Sequence, residues 1–355
     1  MLRSLEIENF RCFQSFELQQ LGRLNLLVGT NNSGKTSILE AIQLLTSFSN
    51  FESLIDLMLS RGECILNNEQ VAELDIRHLF YGHNVDVGSF FSIFGSNDSK
   101  GERMVISIEK GEEKGIFKDL QDLIFTAKWL GEEEIEGFKL PLSPKKCLLS
   151  DHIKRVRREI NSSASKTQFV TSTSLTTKKM IEFFDQIVLT PEEDLIKEAL
   201  QTIEPNFERI APVNSEKHKY IGLRSGFLVK FSNSDQRIPI GSMGDGIWRI
   251  LGLTLAIVNA RNGILLVDEI DTGLHFSTMS DMWKLVWETA RRLNVQVFAT
   301  THSRDCWESL ATIANAETPS EEGITIHRIE KGKTKSIVFN ERQVVIAAEQ
   351  EIEVR

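Results

Sequence analysis

Gly29-Thr30-Asn31-Asn32-Ser33-Gly34-Lys35-Thr36 satisfies the pattern G-x-x-x-x-G-K-[ST] in full. The chemistry open to such a run is the holding of a polyphosphate. Glycines at 29 and 34 let the backbone curl so that successive N–H groups aim at phosphate oxygens. A helix starting at the second glycine adds the partial positive charge of its N-terminus. Lys35 can neutralise β- and γ-phosphates, and the Thr36 hydroxyl can ligate Mg²⁺. Asn31, Asn32, Ser33 and Ser37 complete the loop and the first helical turn. A plain glycine-rich turn accounts for the glycines but not for the Lys-Thr pair behind them.

Two carboxylates, Asp268 and Glu269, follow the apolar run Ile264-Leu265-Leu266-Val267. Asp268 is suited to hold Mg²⁺ through water, and Glu269 to orient or deprotonate an attacking water. An Asp-Glu pair after a strand is common, and it gains meaning from the phosphate loop upstream. His302 closes a second apolar run, Val297-Phe298-Ala299-Thr300, and can reach a γ-phosphate or a polarised water as donor or acceptor. The 33 residues between Glu269 and His302 leave room for one helix and one strand. Ile240-Gly241-Ser242-Met243-Gly244-Asp245-Gly246 opens a further helix, and there Ser242 and the glycine amides form a second phosphate-binding helix start. Lys35 already serves the phosphates of its own subunit, so this second cradle makes most sense facing the γ-phosphate of another subunit's ATP.

These groups need strands and helices in a definite order. Ser4 to Glu8 alternates as a half-buried strand does, and Arg23 to Val28 is a short buried strand entering Gly29. From Lys35 to about Phe48 the apolar residues recur at helical spacing. Strand, glycine turn and helix together open an α/β nucleotide-binding unit. Between 50 and 235, Val71 to Leu79 and Met104 to Glu109 read as strands of an antiparallel sheet. Residues 111–115 and 131–137 are acidic turns, Lys145 to Asn161 is a basic helical segment, and 161–166 is a loop. Lys178 to Leu189 and Pro191 to Ile203 read as helices. After 235 come the helix Gly246 to Ala260, the buried strand Gly263 to Val267, the amphipathic helix Thr278 to Leu293, the buried strand Val295 to Thr300, and a closing hairpin around Lys331-Gly332-Lys333 with a charged helix beyond it. The expected division is 1–140 for the N-terminal half of an ATPase domain, 141–215 for a helical insertion, and 216–355 for the C-terminal half.

Composition narrows the function. The balance of 41 basic and 50 acidic residues gives −9, so any contact with nucleic acid is a local patch. The one conspicuous patch runs from Lys145-Lys146 to Lys154-Arg155-Val156-Arg157-Arg158; it is either a phosphate contact or a solvated helix face. Four scattered cysteines argue against a zinc ribbon or a disulfide scaffold and fit a reducing cytosol. No stretch approaches the roughly 18 apolar residues of a membrane span, and the opening residues lack a signal-peptide core. A soluble cytoplasmic protein with no membrane partner is therefore expected.

The order of phosphate loop, insertion, Ser-Met-Gly-Asp-Gly, Leu-Leu-Val-Asp-Glu and Thr-Thr-His-Ser resembles the ABC-type ATPases related to SMC and RecF proteins. It is more similar still to ATPases of the overcoming-lysogenisation-defect (OLD) type and their stand-alone relatives. Ile7-Glu8-Asn9-Phe10-Arg11-Cys12-Phe13 resembles that group's opening, Gln-Val-Phe-Ala-Thr-Thr-His-Ser-Arg-Asp-Cys its later run, and Glu-Ile-Glu-Val-Arg its ending. The resemblance implies a P-loop NTPase of ABC-ATPase type, with a mixed central sheet flanked by helices, an antiparallel N-terminal sheet and an inserted, largely helical lid. It implies ATP and Mg²⁺ as ligands, Arg11 near the phosphates, Ser242 and Gly244 as contacts across a head-to-head homodimer, and His302 as the switch histidine. His275 stands where transporter cassettes carry an aspartate, which the OLD-like Gly-Leu-His shares. Gln168 is the candidate for the glutamine expected between the halves. Only 53 residues follow His302, too few for the Toprim nuclease of full-length OLD proteins, so a nuclease is expected on a separate chain.

The function expected is Mg²⁺-dependent ATP hydrolysis in a dimer that clamps DNA or a partner protein, in genome maintenance or anti-phage defence. The alternative is a nucleotide-gated scaffold that restrains or recruits an effector with little turnover. A GTPase is disfavoured by the missing [NT]-K-x-D motif.

Overall fold

The computed structural model describes residues 1–47, 51–67, 70–111, 123–131, 134–149, 166–213, 226–316 and 322–355. The basic cluster Lys154–Arg158, nearly all of the 161–166 loop and most of the acidic 111–115 turn lie outside them. The described chain forms two compact units. One comprises Met1–Leu21, Asn31–Ser165 and Ile329–Ile337; the other comprises Gly22–Thr30, Lys166–Arg328 and Val338–Arg355. The chain passes from one to the other between Thr30 and Asn31, inside the glycine motif.

The first unit is built on a six-stranded antiparallel sheet in the order Phe13–Leu18, Ser4–Phe10, Phe90–Ser96, Gly101–Lys110, Leu123–Leu130 and Glu134–Pro141. Its strands alternate, with Leu5, Ile7, Phe91, Ile93, Met104, Ile106, Phe125 and Ala127 buried, as a sheet with one covered face requires. The helix Lys35–Thr46 packs on this sheet and turns Ile38, Leu39, Ile42 and Leu45 inward. Rings of Phe10, Phe80 and Phe91 meet with centroids 5.1 and 5.3 Å apart. In the described part of the basic segment, Lys145 and Lys146 sit in a turn before the short strand Leu148–Leu149. The expected helix is absent there because Pro144 favours a turn, which the bonds from Lys146 N to Ser143 O and from Ser143 N to Cys147 O close.

The second unit carries the central sheet, in the order Thr167–Val170, Ile264–Val267, Gln296–Thr300, Leu24–Val28, Ile324–Arg328 and Ile337–Asn340. The first five pair in parallel. Every residue of Leu24–Val28 and of Gln296–Thr300 is buried, the condition that produces uninterrupted apolar runs in a parallel sheet. The helices Asp245–Asn259, Met279–Leu293, Arg304–Ala316 and Glu341–Glu349 pack with it in one hydrophobic core. Trp283 is wholly buried, its indole N–H donating to Cys306 O at 2.8 Å. A small sheet of Phe207–Pro212, Phe227–Phe231 and Arg237–Pro239 leads into the Ser242 loop, and the helices Thr177–Asp185 and Glu193–Gln201 precede it.

The strand that enters the glycine motif is aligned by a buried polar chain. Asn25 Nδ2 donates to Gly22 O (2.9 Å) and Val297 O (3.1 Å), while its Oδ1 accepts from Thr325 Oγ1 at 2.9 Å. The Thr325 hydroxyl has one proton to give, so the 3.1 Å contact with His327 makes the imidazole Nε2–H the donor. Burial pushes His327 down to about 3. Unfolding therefore releases an imidazole that takes up a proton near pH 6.5, which the folded state refuses. Stability from this group is complete above about pH 6.5 and is lost on acidification toward 3, on the order of 1 kcal/mol per pH unit. Denaturant unfolding at pH 7.5 and pH 5 should show that loss, and His327→Gln, which cannot protonate, should flatten it. Equal pH slopes in the two proteins would contradict the assignment.

Candidate nucleotide site

In the first unit the motif takes the backbone shape its glycines permit. Asn32 has φ 59°, and Gly34 has φ 102°, caps the helix and accepts from Ile38 N at 3.0 Å. Lys35 is 5% exposed, and Ser33 and Ser37 are buried. Phe13 and Cys12 lie directly beneath the loop: a Cβ at Gly34 would meet Phe13 Cζ at 2.3 Å and Cys12 Sγ at 2.8 Å. A cavity of about 250 Å³ opens beside the loop, lined among others by Phe13, Asn32, Ser33, Tyr81, Lys331 and Lys333. The buried Ser33 hydroxyl has no protein partner there, a deficit that a bound polar ligand removes.

Arg11 lies at the foot of the same helix. Its guanidinium is buried and binds protein groups through two of its nitrogens, Nε meeting Glu40 at 3.1 Å and Nη1 meeting Glu63 and, at 3.1 Å, His78 O. Arg61 pairs with the other Glu40 oxygen. Burial raises the Glu40 carboxyl, and Arg11 and Arg61 pull against that shift. Removing one member of such a buried cluster costs about 3–5 kcal/mol. In this structure Arg11 braces the helix behind Lys35 and Thr36.

In the second unit the acidic strand and the histidine strand are adjacent and parallel. The Thr300 hydroxyl ties their ends together, donating to Asp268 Oδ1 at 2.7 Å and accepting from Glu269 N at 2.8 Å. Ile270 N bonds Thr300 O at 3.0 Å, and Thr301 Oγ1 bonds Asp271 Oδ1 at 2.6 Å. Glu269 is held at φ 47°, a left-handed conformation that costs a non-glycine residue roughly 1–3 kcal/mol and is kept where its surroundings enforce it. The half-exposed carboxylates of Asp268 and Glu269 thus leave the sheet at its carboxyl edge with their backbone fixed. His302 follows two residues beyond Thr300.

Ser242 and Gly244 stand exposed before the helix Asp245–Asn259. Gly244 has φ 91° and ψ 176°, open only to glycine, with free space where a side chain would project. The residue that sequence reasoning missed is Arg249, one turn inside that helix and 2% exposed. Its guanidinium donates to Asp268 O and Glu269 O, both at 2.8 Å, to Thr171 O at 2.6 Å and to Ile270 O at 3.5 Å. Burial lowers its pKa to about 10, opposed by Asp271, Asp268 and Glu269, so it stays charged at neutral pH. The signal was available as a single charged residue within Gly-Ile-Trp-Arg-Ile-Leu-Gly-Leu. Gln168 is placed back from the edge: it pairs with Leu265, whereas Asp268 N bonds Val170 O at 2.8 Å. Thr171, held by Arg249, is the residue level with the acidic pair.

Each unit offers hard oxygen donors of the kind Mg²⁺ prefers, the Thr36 hydroxyl in the first and the Asp268 carboxylate in the second. Residues 24–305 match the family described as AAA domain, putative AbiEii toxin, Type IV TA system. The chain belongs to this family. It is an α/β P-loop ATPase. It is 22% identical over 332 residues to an ATP/GTP phosphatase of Helicobacter pylori, covering 87% of each chain. To an OLD nuclease of Thermus scotoductus it is 22% identical over 85% of its length but 59% of the relative's. A 64-residue stretch is 44% identical to the DNA replication and repair protein RecF of Chlorobium phaeovibrioides, 16% of that protein. Among solved structures, an SMC head bound to the C-winged helix domain of ScpA is 14% identical, covering 96% of this chain and 98% of that one with a TM-score of 0.49. No helix among the described residues is long and apolar enough to cross a membrane.

Proposed function

We propose that the chain hydrolyses ATP with Mg²⁺ at a site completed by a second copy of itself, and uses the cycle to clamp and release DNA or a DNA-bound partner in the cytoplasm. Lys35 and the amides of Gly29 to Ser37 hold the phosphates. Thr36 and Asp268 hold Mg²⁺, Glu269 activates water, and His302 senses the γ-phosphate. The cavity beside Ser33 takes the nucleoside. Ser242 and Gly244 reach the γ-phosphate of the partner's ATP. Genome maintenance or anti-phage defence is the setting, in keeping with relatives named RecF and OLD nuclease.

The observation that carries this reading is Arg249. One helix presents exposed Ser242 and Gly244 at its start and, through Arg249, holds the backbone carbonyls of Asp268 and Glu269. A γ-phosphate docking at that start is thereby coupled to the residues that hydrolyse ATP in the same chain. The test is pairing. ATPase activity per molecule should rise with protein concentration and respond to double-stranded DNA. Activity flat in concentration would contradict the shared site. Tight ATP binding without turnover would favour the nucleotide-gated scaffold, acting on a separate effector such as a nuclease chain.

A further inference from the structure

The histidine loop is fixed residue by residue, and the last of its ties comes from far along the chain. Thr301 N donates to Leu27 O at 3.2 Å, the Thr301 hydroxyl to Asp271, and Ser303 N to Thr301 Oγ1 at 2.9 Å. The carbonyl of His302 accepts from Arg355 Nη1 at 2.6 Å. A charge-assisted bond of that length is among the stronger ones a backbone carbonyl receives. Arg355 is itself held square: Nε and Nη2 each meet one oxygen of Glu353 at 2.8 Å, a planar fork that a lysine cannot reproduce. Arg355 in turn holds the Glu353 carboxyl down to about 2. Between them Val354 is wholly buried in the core of the second unit. Ile352 N bonds Ala347 O at 2.8 Å, tying the segment to the preceding helix. A surface arginine held only by solvent would not need this anchoring.

We propose that Arg355 is a positioning residue for His302: anchored by Val354 and squared by Glu353, its guanidinium fixes the His302 peptide and hence the direction in which the imidazole leaves the strand. The inference rests on the reading of His302 as the γ-phosphate sensor. Releasing the carbonyl lets the peptide between His302 and Ser303 rotate, and a displacement on the order of 1 Å at a reacting group costs up to about a hundredfold in rate. ATP in its ground state is held by the phosphate loop, so the loss belongs to turnover and not to binding.

The experiment measures kcat and KM for ATP in Arg355→Ala, Arg355→Lys, Glu353→Gln, His302→Ala and the Arg355→Ala/His302→Ala double variant. Arg355→Ala should lower kcat by about tenfold to a hundredfold, with KM changed less than about twofold. Arg355→Lys should recover part of that loss, and the double variant should be no slower than His302→Ala alone, because both act through one group. Glu353→Gln keeps Val354 in the core and should show a smaller loss of the same kind, which keeps the proposal testable if Arg355→Ala folds poorly. Full kcat in Arg355→Ala and Glu353→Gln beside an impaired His302→Ala would overturn the proposal while leaving the sensor reading standing. Losses that multiply in the double variant would also overturn it. Undiminished kcat in His302→Ala would instead overturn the sensor reading.

Discussion

Replacing Glu269 with glutamine should lower ATP turnover by about two to four orders of magnitude, the scale of a lost general base, while ATP still binds. Glutamine keeps the length of the side chain and can still accept the 3.2 Å bond from Thr272 Oγ1. The bond from Glu269 N to the Thr300 hydroxyl involves backbone and survives the change. What disappears is the carboxylate that takes a proton from water. Steady-state kcat together with the Kd of a fluorescent ATP analogue separates the two effects. A variant that turns over within about tenfold of the parent would remove Glu269 from the role of base.

The second large effect is expected at Gly34. Alanine there meets two independent obstacles. The backbone has φ 102°, and the new Cβ would lie 2.3 Å from Phe13 Cζ and 2.8 Å from Cys12 Sγ. Cys12 lies on the short connection between two strands of the sheet and Phe13 opens the second of them, so the loop must give way. Overpacking of this kind costs about 1–3 kcal/mol, and the backbone strain adds about 1–2 more. Gly34→Ala should therefore weaken ATP binding by at least about tenfold and lower Tm by several degrees. Calorimetric titration and a melting curve check both. Gly244→Ala provides the contrast, since nothing stands within 4 Å of its Cβ and only the torsion opposes it. Parent-like ATP binding in Gly34→Ala would show that the loop tolerates another shape.

The strands that carry the chemistry were legible because each is buried on both sides and reads as an apolar run: Leu24–Val28, Ile264–Val267 and Gln296–Thr300. Each catalytic candidate follows such a run, where a parallel sheet exposes its carboxyl edge. In the six-stranded sheet of the first unit only Ser4–Phe10 and Gly101–Lys110 were read from their alternation, the mark of one covered face, while residues 131–137, read as an acidic turn, run into the strand Glu134–Pro141. What escaped reading depends on register and tertiary contact. Nothing in Thr167-Gln168-Phe169-Val170 says that Leu265 is the partner of Gln168, so the residue level with Asp268 could not be assigned. Arg11 was placed near the phosphates by resemblance, while its partners Glu40 and Glu63 come from 29 and 52 residues away. Arg249 and Arg355 act on backbone carbonyls, so the sequence marks Arg249 only as a lone charge in an apolar helix and names the partner of neither. Both serve residues that the sequence did single out, Asp268, Glu269 and His302.

The central claim is that each hydrolytic site takes its phosphate loop from one copy and its Ser242-Gly244 helix start from another. It is tested most directly by mixing two variants that are each inactive alone, Lys35→Ala and Ser242→Arg. In a mixed dimer one site joins the intact loop of the Ser242→Arg copy to the intact helix start of the Lys35→Ala copy. With random pairing at equal concentrations, half of the dimers are mixed and each holds one such site of two, so activity should return to about a quarter of the parent's. Mixtures that stay as inactive as their components at every ratio would contradict the shared site.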